Sequence, residues 1–121
     1  MSHLVSIQTK IHDAVAIAAA CQRLNLKAPT LGNVRLYSGE ASGIIVHLPD
    51  WQYPVVIEAL TGTVRYDNYE GAWGDPVHLD KFQQMYTVEK AKLEARKRGH
   101  AVNEQTLQDG SIKLQIIERA A

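Results

Sequence analysis

Four short strand-like runs follow one another between residues 33 and 66, with no helical stretch between them. They cover residues 33–37, 43–48, 55–60 and 63–66 and are rich in β-branched and aromatic side chains. Parallel pairing of consecutive strands would need a crossover of a dozen or more residues, usually a helix. The sequence therefore predicts an antiparallel meander, with short connections at residues 38–42 and 61–62.

One helix is predicted on each side of these strands. Asp13 and Asp75 are suitable N-caps, because a carboxylate accepts the unpaired amide hydrogens of a first helical turn, and Pro76 fits the first helical position. The first helix is expected to end near Leu24, before Asn25, and the second at Gly99. Each carries an apolar stripe at helical spacing, namely Ala14, Ile17, Cys21 and Leu24 in the first and Leu79, Phe82, Tyr86 and Leu93 in the second.

Further strands are predicted at the two ends of the chain. Residues 3–10 alternate like a strand, and residues 101–108 and 111–118 flank Asp109-Gly110, a hairpin signal in which both turn positions need positive φ. At 121 residues the chain is long enough for one core. We therefore expect a single α+β domain over residues 1–121. It would have an antiparallel sheet of about six or seven strands with two helices on one face, ferredoxin-like in arrangement.

The charge balance argues against nucleic acid or a membrane as partner. Thirteen Lys and Arg residues face thirteen Asp and Glu residues, so the formal net charge is +0. The basic run at 90–98 is interrupted by Glu94 and lacks aromatic residues, which predicts a solvated helix face. RNA binding would gain weight only if Tyr37, Tyr53 and Tyr66 were exposed on one sheet face beside a basic strip. The apolar run at 14–21 is too short to span a membrane.

The residues that usually carry catalysis do not form a recognisable motif. The five histidines have no metal-ligand spacing, and there is no nucleophile elbow, phosphate loop or dinucleotide turn. We therefore predict no catalytic residue, no metal and no cofactor. The lone Cys21 is predicted to be an inert core residue of a cytoplasmic protein, because a single cysteine cannot form an intrachain disulfide.

The aromatic residues are distributed unevenly, since all eight lie between positions 37 and 86. Trp51, Tyr53, Tyr69 and Trp73 lie at strand ends or in a glycine-containing loop, where rings can be partly exposed as they are at binding hot spots. Core packing is the competing interpretation. We predict that these four residues bind a partner.

Four segments in order make the chain resemble a known family. Residues 1–11 (MSHLVSIQTKI), residues 34–37 (VRLY), Trp73-Gly74 and residues 109–114 (DGSIKL) are similar to the small proteins named for the thirty-fifth hypothetical chloroplast reading frame. Residues 51–69 look more like the non-photosynthetic bacterial members. The resemblance implies a family without an established activity, some of whose members are encoded beside ring-forming ATPases, and it supplies no catalytic residues.

Two functional hypotheses follow from these patterns. The first is a non-enzymatic accessory protein that binds a protein partner, with a ring-forming ATPase system implied by the resemblance alone. The alternative is a small-molecule sensor or enzyme with a pocket between the Trp51 and Trp73 loops. An open aromatic patch would favour the first hypothesis, and a deep cleft with convergent polar groups would favour the second.

Overall fold

The α+β class is confirmed by the computed structural model, which describes residues 4–118. The start of the predicted first strand at His3, and the ends of the predicted domain at residues 1–3 and 119–121, lie outside that range. The elements in chain order are β1 Val5–Gln8, α1 Ala14–Arg23, β2 Thr30–Leu36, β3 Gly39–Val46, β4 Val55–Glu58, β5 Thr63–Tyr66, α2 Pro76–Lys97, β6 Ala101–Thr106 and β7 Ile112–Ile117. A single 3-10 turn, Tyr69–Gly71, lies between β5 and α2.

The predicted meander is present, but the strands form two sheets. Strands β2 to β5 pair antiparallel in sequence order and β1 joins the β5 edge, which gives the order β1-β5-β4-β3-β2. Strands β6 and β7 pair only with each other among the described residues. The expectation of one sheet with six or seven strands is therefore corrected to five strands plus two. The ferredoxin-like arrangement is not confirmed, because four consecutive strands separate the helices instead of two.

The last hairpin is separate because the chain reverses directly onto α2. Gly99 follows the helix with φ +75°, a left-handed conformation that glycine adopts without strain. The Gln84 side chain, in the first half of α2, donates to the carbonyl of Gly110 at 3.1 Å. Arg23 at the end of α1 forms a salt bridge with Glu104 of β6. The hairpin thus runs back along the helices and does not reach an edge of the larger sheet.

The two turns predicted from short motifs differ from expectation in their details. Residues 39–42 belong to β3, so the β2–β3 connection is the two-residue turn Tyr37-Ser38. In the last hairpin Gly110 has φ +87°, but Asp109 is not in the left-handed region. The Gly110 amide donates to the Leu107 carbonyl, and the Leu107 amide to the Ser111 carbonyl. The loop between Leu107 and Ser111 is thus one residue longer than the predicted two-residue turn. This length allows an ordinary turn followed by one left-handed glycine, so Asp109 needs no positive φ.

Both helix starts are confirmed, and the helices cover one face of the large sheet. Asp13 accepts hydrogen bonds from the amides of Val15 and Ala16, and Asp75 from that of Val77. Of the predicted stripes, Ala14 is exposed and Leu24 and Leu93 are half-buried. The main core contains Ile11, Ala16, Ile17, Ala20, Cys21, Val46, Leu48, Val55, Ile57, Val64, Leu79, Phe82, Met85 and Tyr86.

The β2–β3 hairpin bends back over the opposite face of the sheet. A straight β3 would carry Ser38 about 26 Å from the end of β3 that pairs with the start of β4. Yet the Ser38 hydroxyl donates to Asp67 Oδ2 at 2.7 Å, and Asp67 directly follows β5 at that same end. The bend coincides with the facing pair Gly32 and Gly43, where β3 leaves β4. It closes a second small core of Leu36, Ala41 and Val56, with Val34, Ile45 and Tyr53 packed against it.

We predict that Gly43→Ala destabilises the protein through this bend. A Cβ at Gly43 would lie 2.5 Å from the Ile57 carbonyl oxygen, a backbone atom that cannot easily move, so we expect a loss of about 2 kcal/mol. Gly32→Ala is the matched control, because its Cβ would make an ordinary contact at 3.7 Å with Ile45 Cδ1. Urea unfolding of both variants measures the difference. Equal stability of the two would show that the bend does not depend on close backbone approach at Gly43.

A second prediction concerns acid sensitivity at the contact between the helices. The Lys90 ammonium, 3.0 Å from Asp13 Oδ2, lowers the pKa of that carboxyl, and the Ala16 and Val15 amides act in the same direction. A carboxyl with a lowered folded-state pKa stabilises the protein above its unfolded pKa of about 4, and this contribution is lost as the pH falls through the folded pKa. Asp13→Asn keeps a capping oxygen but removes the charge.

We therefore expect Asp13→Asn to be less stable than the wild type at pH 7 and the gap to close below about pH 4. Denaturant titrations measure this difference in unfolding free energy across pH 2.5 to 7, a range that brackets the ordinary carboxyl pKa of about 4. In a Lys90→Met background the dependence of the gap on pH should shrink, since the charged partner is gone. A gap that is constant across this range would contradict the role given to the Lys90 contact.

Candidate functional site

Four aromatic side chains meet on the side of the sheet opposite the helices, and we call Tyr37, Tyr53, Tyr69 and Trp73 the aromatic face. The Trp73 ring is central: its centroid lies 4.7 Å from that of Tyr69, 5.1 Å from that of Tyr37 and 5.7 Å from that of Tyr53. Tyr69 is stacked on it at an interplanar angle of 24°, and the other two rings are tilted. The bend of the hairpin is what brings Tyr37 to this position.

Trp51 takes a different place from the other residues predicted with it. Its ring packs edge-to-face on Tyr66 at 5.6 Å and lies against the main core, and its Nε1 donates to the Asp75 carbonyl at 2.9 Å. The structure thus groups Tyr53, Tyr69 and Trp73 and places Trp51 elsewhere. The sequence prediction did not include Tyr37 among the partner-binding residues. The available signal was its position next to a predicted turn.

Hydrogen bonds hold the loops of the aromatic face in one arrangement. The Gln52 amide donates to the Trp73 carbonyl at 2.8 Å, which joins the segment before β4 to the β5–α2 loop. The buried Asn68 donates from Nδ2 to the Gly74 carbonyl at 3.1 Å and accepts from the Trp73 amide at its own carbonyl. The buried Asp67 accepts from Ser38 and from the Tyr69 amide. These bonds fix the positions of the rings relative to one another.

Backbone strain is concentrated in the same loops. Four non-glycine residues of the described chain have positive φ, and three of them, Asp50, Tyr69 and Glu70, lie beside the aromatic face at +60°, +49° and +54°. For residues with a Cβ this conformation costs about 1 to 2 kcal/mol each. Strain of this kind persists where the surrounding contacts impose it, and it clusters at functional sites. In this loop it accompanies the stack of Tyr69 on Trp73 and an exposed Glu70.

Exposure and charge distinguish this surface from the rest of the sheet. The side chain of Tyr37 is 60% exposed and that of Tyr69 is 38% exposed, while Tyr53 and Trp73 are half-buried. The segments that carry the rings, residues 37–38, 49–54 and 67–75, hold four carboxylates and no Lys or Arg. The aromatic face is therefore apolar at its centre and acidic around it.

Outside the aromatic face, the described residues offer little of the geometry that a metal site or a reactive thiol needs. Residues 4–118 contain no cluster of three or more His, Cys, Asp or Glu side chains able to hold a metal ion. Burial raises the pKa of the Cys21 thiol to about 11, so the thiolate is scarce at neutral pH. In the same range of residues, neither helix is both long and apolar enough to span a membrane. A groove between α2 and β7, lined by Ala95, Arg98 and Ile116, lies away from the aromatic loops.

Comparison with known proteins gives no match, whether with family models, curated proteins or solved structures. The family resemblance noted from four sequence segments thus stays a prediction.

We predict that Gly74→Ala displaces the Trp51 indole. A Cβ at Gly74 would lie 2.6 Å from Trp51 Cγ, so the ring must move and lose its bond to Asp75, at a cost of about 1 to 3 kcal/mol. A double-mutant cycle with Trp51→Ala isolates the contact, because adding Gly74→Ala to that background should cost far less. Thermal unfolding of the four proteins gives the energies. Additive losses would contradict a direct clash.

Proposed function

We propose that this chain is a non-enzymatic adaptor that binds a protein partner through the aromatic face. The observation that carries the proposal is a set of three tyrosine rings around Trp73, two of them exposed, held in place by hydrogen-bonded loops. Tyr and Trp supply much contact area with few rotatable bonds, and they dominate the energetic centres of interfaces. A face whose rings are already positioned loses little conformational entropy on binding.

The contact between the two loops supports a surface in preference to a cleft. A small-molecule pocket between the Trp51 and Trp73 loops would need space between them. Instead the Gln52 amide bonds directly to the Trp73 carbonyl, and the Trp51 ring packs on the backbone at Gly74. This geometry favours the adaptor hypothesis over a sensor or enzyme.

Two further observations bear on the class of partner. Tyr66 packs on Trp51 toward the helices, so it does not share a face with Tyr37 and Tyr53, and the surrounding loops are acidic. Both observations favour protein over nucleic acid. We further propose that the adaptor acts in the cytoplasm, since its single cysteine cannot form the intrachain disulfides common in oxidising compartments. The family resemblance suggests ring-forming ATPase systems as the first partners to test.

The proposal is tested by measuring partner affinity for variants of the face. Proteins captured by the wild type would be purified and titrated with the wild type, Tyr37→Ala and Tyr69→Ala. Each substitution should then weaken binding by about 2 kcal/mol, roughly 30-fold. Leu60→Ala is the matched control, because Leu60 is an apolar side chain with 91% exposure outside the face.

Stability measurements separate binding from folding. Phe82→Ala removes a fully buried core ring and should cost about 3 to 5 kcal/mol, whereas Tyr37→Ala should cost clearly less. If Tyr37→Ala and Tyr69→Ala unfold as readily as Phe82→Ala, the rings are core and the proposal fails. Equal loss of partner binding in Leu60→Ala would also contradict it.

A further inference from the structure

The charge around the aromatic face is one-sided in a chain whose formal charges balance. Asp50, Glu70 and Asp75 are exposed, and Asp67 is buried beneath them. Two arginines belong to strands near this surface. Arg65 forms a salt bridge with Glu58 at 2.9 Å. Arg35 is exposed on β2 opposite Glu40 of β3, on the other side of the strand from Leu36, which packs in the small core.

Glu70 is the residue that most suggests a cationic ligand. It has φ +54° and ψ +31°, a conformation that glycine would adopt without strain, and its side chain is exposed beside Tyr69. Among the described residues its carboxylate has no ion pair, as is also true of Glu40 and Glu118, but Glu70 is the one of these three that directly follows a ring of the aromatic face. A strained backbone position occupied by an unpaired acid beside exposed rings is explained if the acid has a function.

We infer that the aromatic face, in its proposed function as a partner-binding surface, receives an arginine side chain of the partner protein. The guanidinium would lie against the exposed ring of Tyr37 or Tyr69 and pair with the Glu70 carboxylate. Arginine fits better than lysine, because its planar group stacks on aromatic rings and forms two parallel hydrogen bonds with a carboxylate. The acidic loops would also speed the approach of a basic segment at low salt.

The inference is tested with fluorescein-labelled peptides titrated into the full chain by anisotropy. One nine-residue peptide carries three arginines separated by glycine-serine pairs. A second replaces each arginine with citrulline, which keeps the shape and removes the charge, and a third uses lysine. We expect the arginine peptide to bind about tenfold more tightly than the citrulline peptide, with lysine between them. The preference should weaken with added salt.

Variants assign the effect to Glu70. Glu70→Gln should reduce arginine-peptide affinity about five- to tenfold and leave citrulline-peptide binding unchanged. Glu70→Gly should reduce it equally while raising the melting temperature, because glycine relieves the left-handed strain. The control is Glu118→Gln, an exposed acid beside the separate β6–β7 hairpin, which should bind like the wild type.

The outcomes distinguish this inference from the proposed function on which it rests. Absence of arginine-peptide binding, equal affinity for the citrulline peptide, or insensitivity to Glu70→Gln would each overturn the arginine assignment. If the natural partner nevertheless loses affinity with Tyr37→Ala and Tyr69→Ala, the aromatic face remains the binding surface and its occupant is not an arginine paired with Glu70. If those two variants leave partner binding unchanged, the proposed function itself fails.

Discussion

The structure depends most on the bend of the β2–β3 hairpin across the sheet. The facing glycines Gly32 and Gly43 permit it, and the hydrogen bond from Ser38 to the buried Asp67 holds its tip. A straight hairpin would leave the outer side of Val56 in water and Tyr37 far from Trp73. The bend therefore creates the second core and the aromatic face together, so the packing of this side of the sheet and the arrangement of its exposed rings share one cause.

The helix side is organised by a different principle. Its core is a continuous apolar layer under α1 and α2, and polar contacts at the rim set where the helices start and how they meet. Asp13 illustrates this, since one carboxylate caps α1 and pairs with Lys90 of α2. The β6–β7 hairpin is attached to this layer through Arg23 and Gln84 and partly buries Ile112. A two-stranded sheet is marginal by itself, so these contacts support it.

The loop after β5 contains backbone conformations that lower the stability of the fold. Tyr69 and Glu70 occupy backbone conformations that favour glycine, and the hydrogen bonds of Asp67 and Asn68 hold them there. Selection for stability alone would replace such residues. Their presence beside exposed rings is one of the observations on which the proposed binding role of this loop rests.

The sequence by itself determined the features that depend on neighbouring residues. These include the caps at Asp13 and Asp75, the end of α2 shortly before Gly99, the antiparallel meander and the burial of Cys21. Each follows from local hydrogen bonding or periodicity, which a short window of residues records. Part of the aromatic face could also be predicted from the sequence, because Tyr53, Tyr69 and Trp73 lie in loops that the pattern identified.

Only the tertiary structure decided which of those rings meet. Tyr37 joins Trp73 across 36 positions in the chain and Trp51 turns to the other side of the sheet, and neither outcome has a local signal. The division into two sheets likewise depends on whether the last hairpin packs against the helices or pairs with an edge strand of the large sheet. Long-range packing determines both outcomes, because the alternative contacts are about equally favourable locally and differ in free energy only when the whole chain is packed. A local sequence pattern carries no information about that difference.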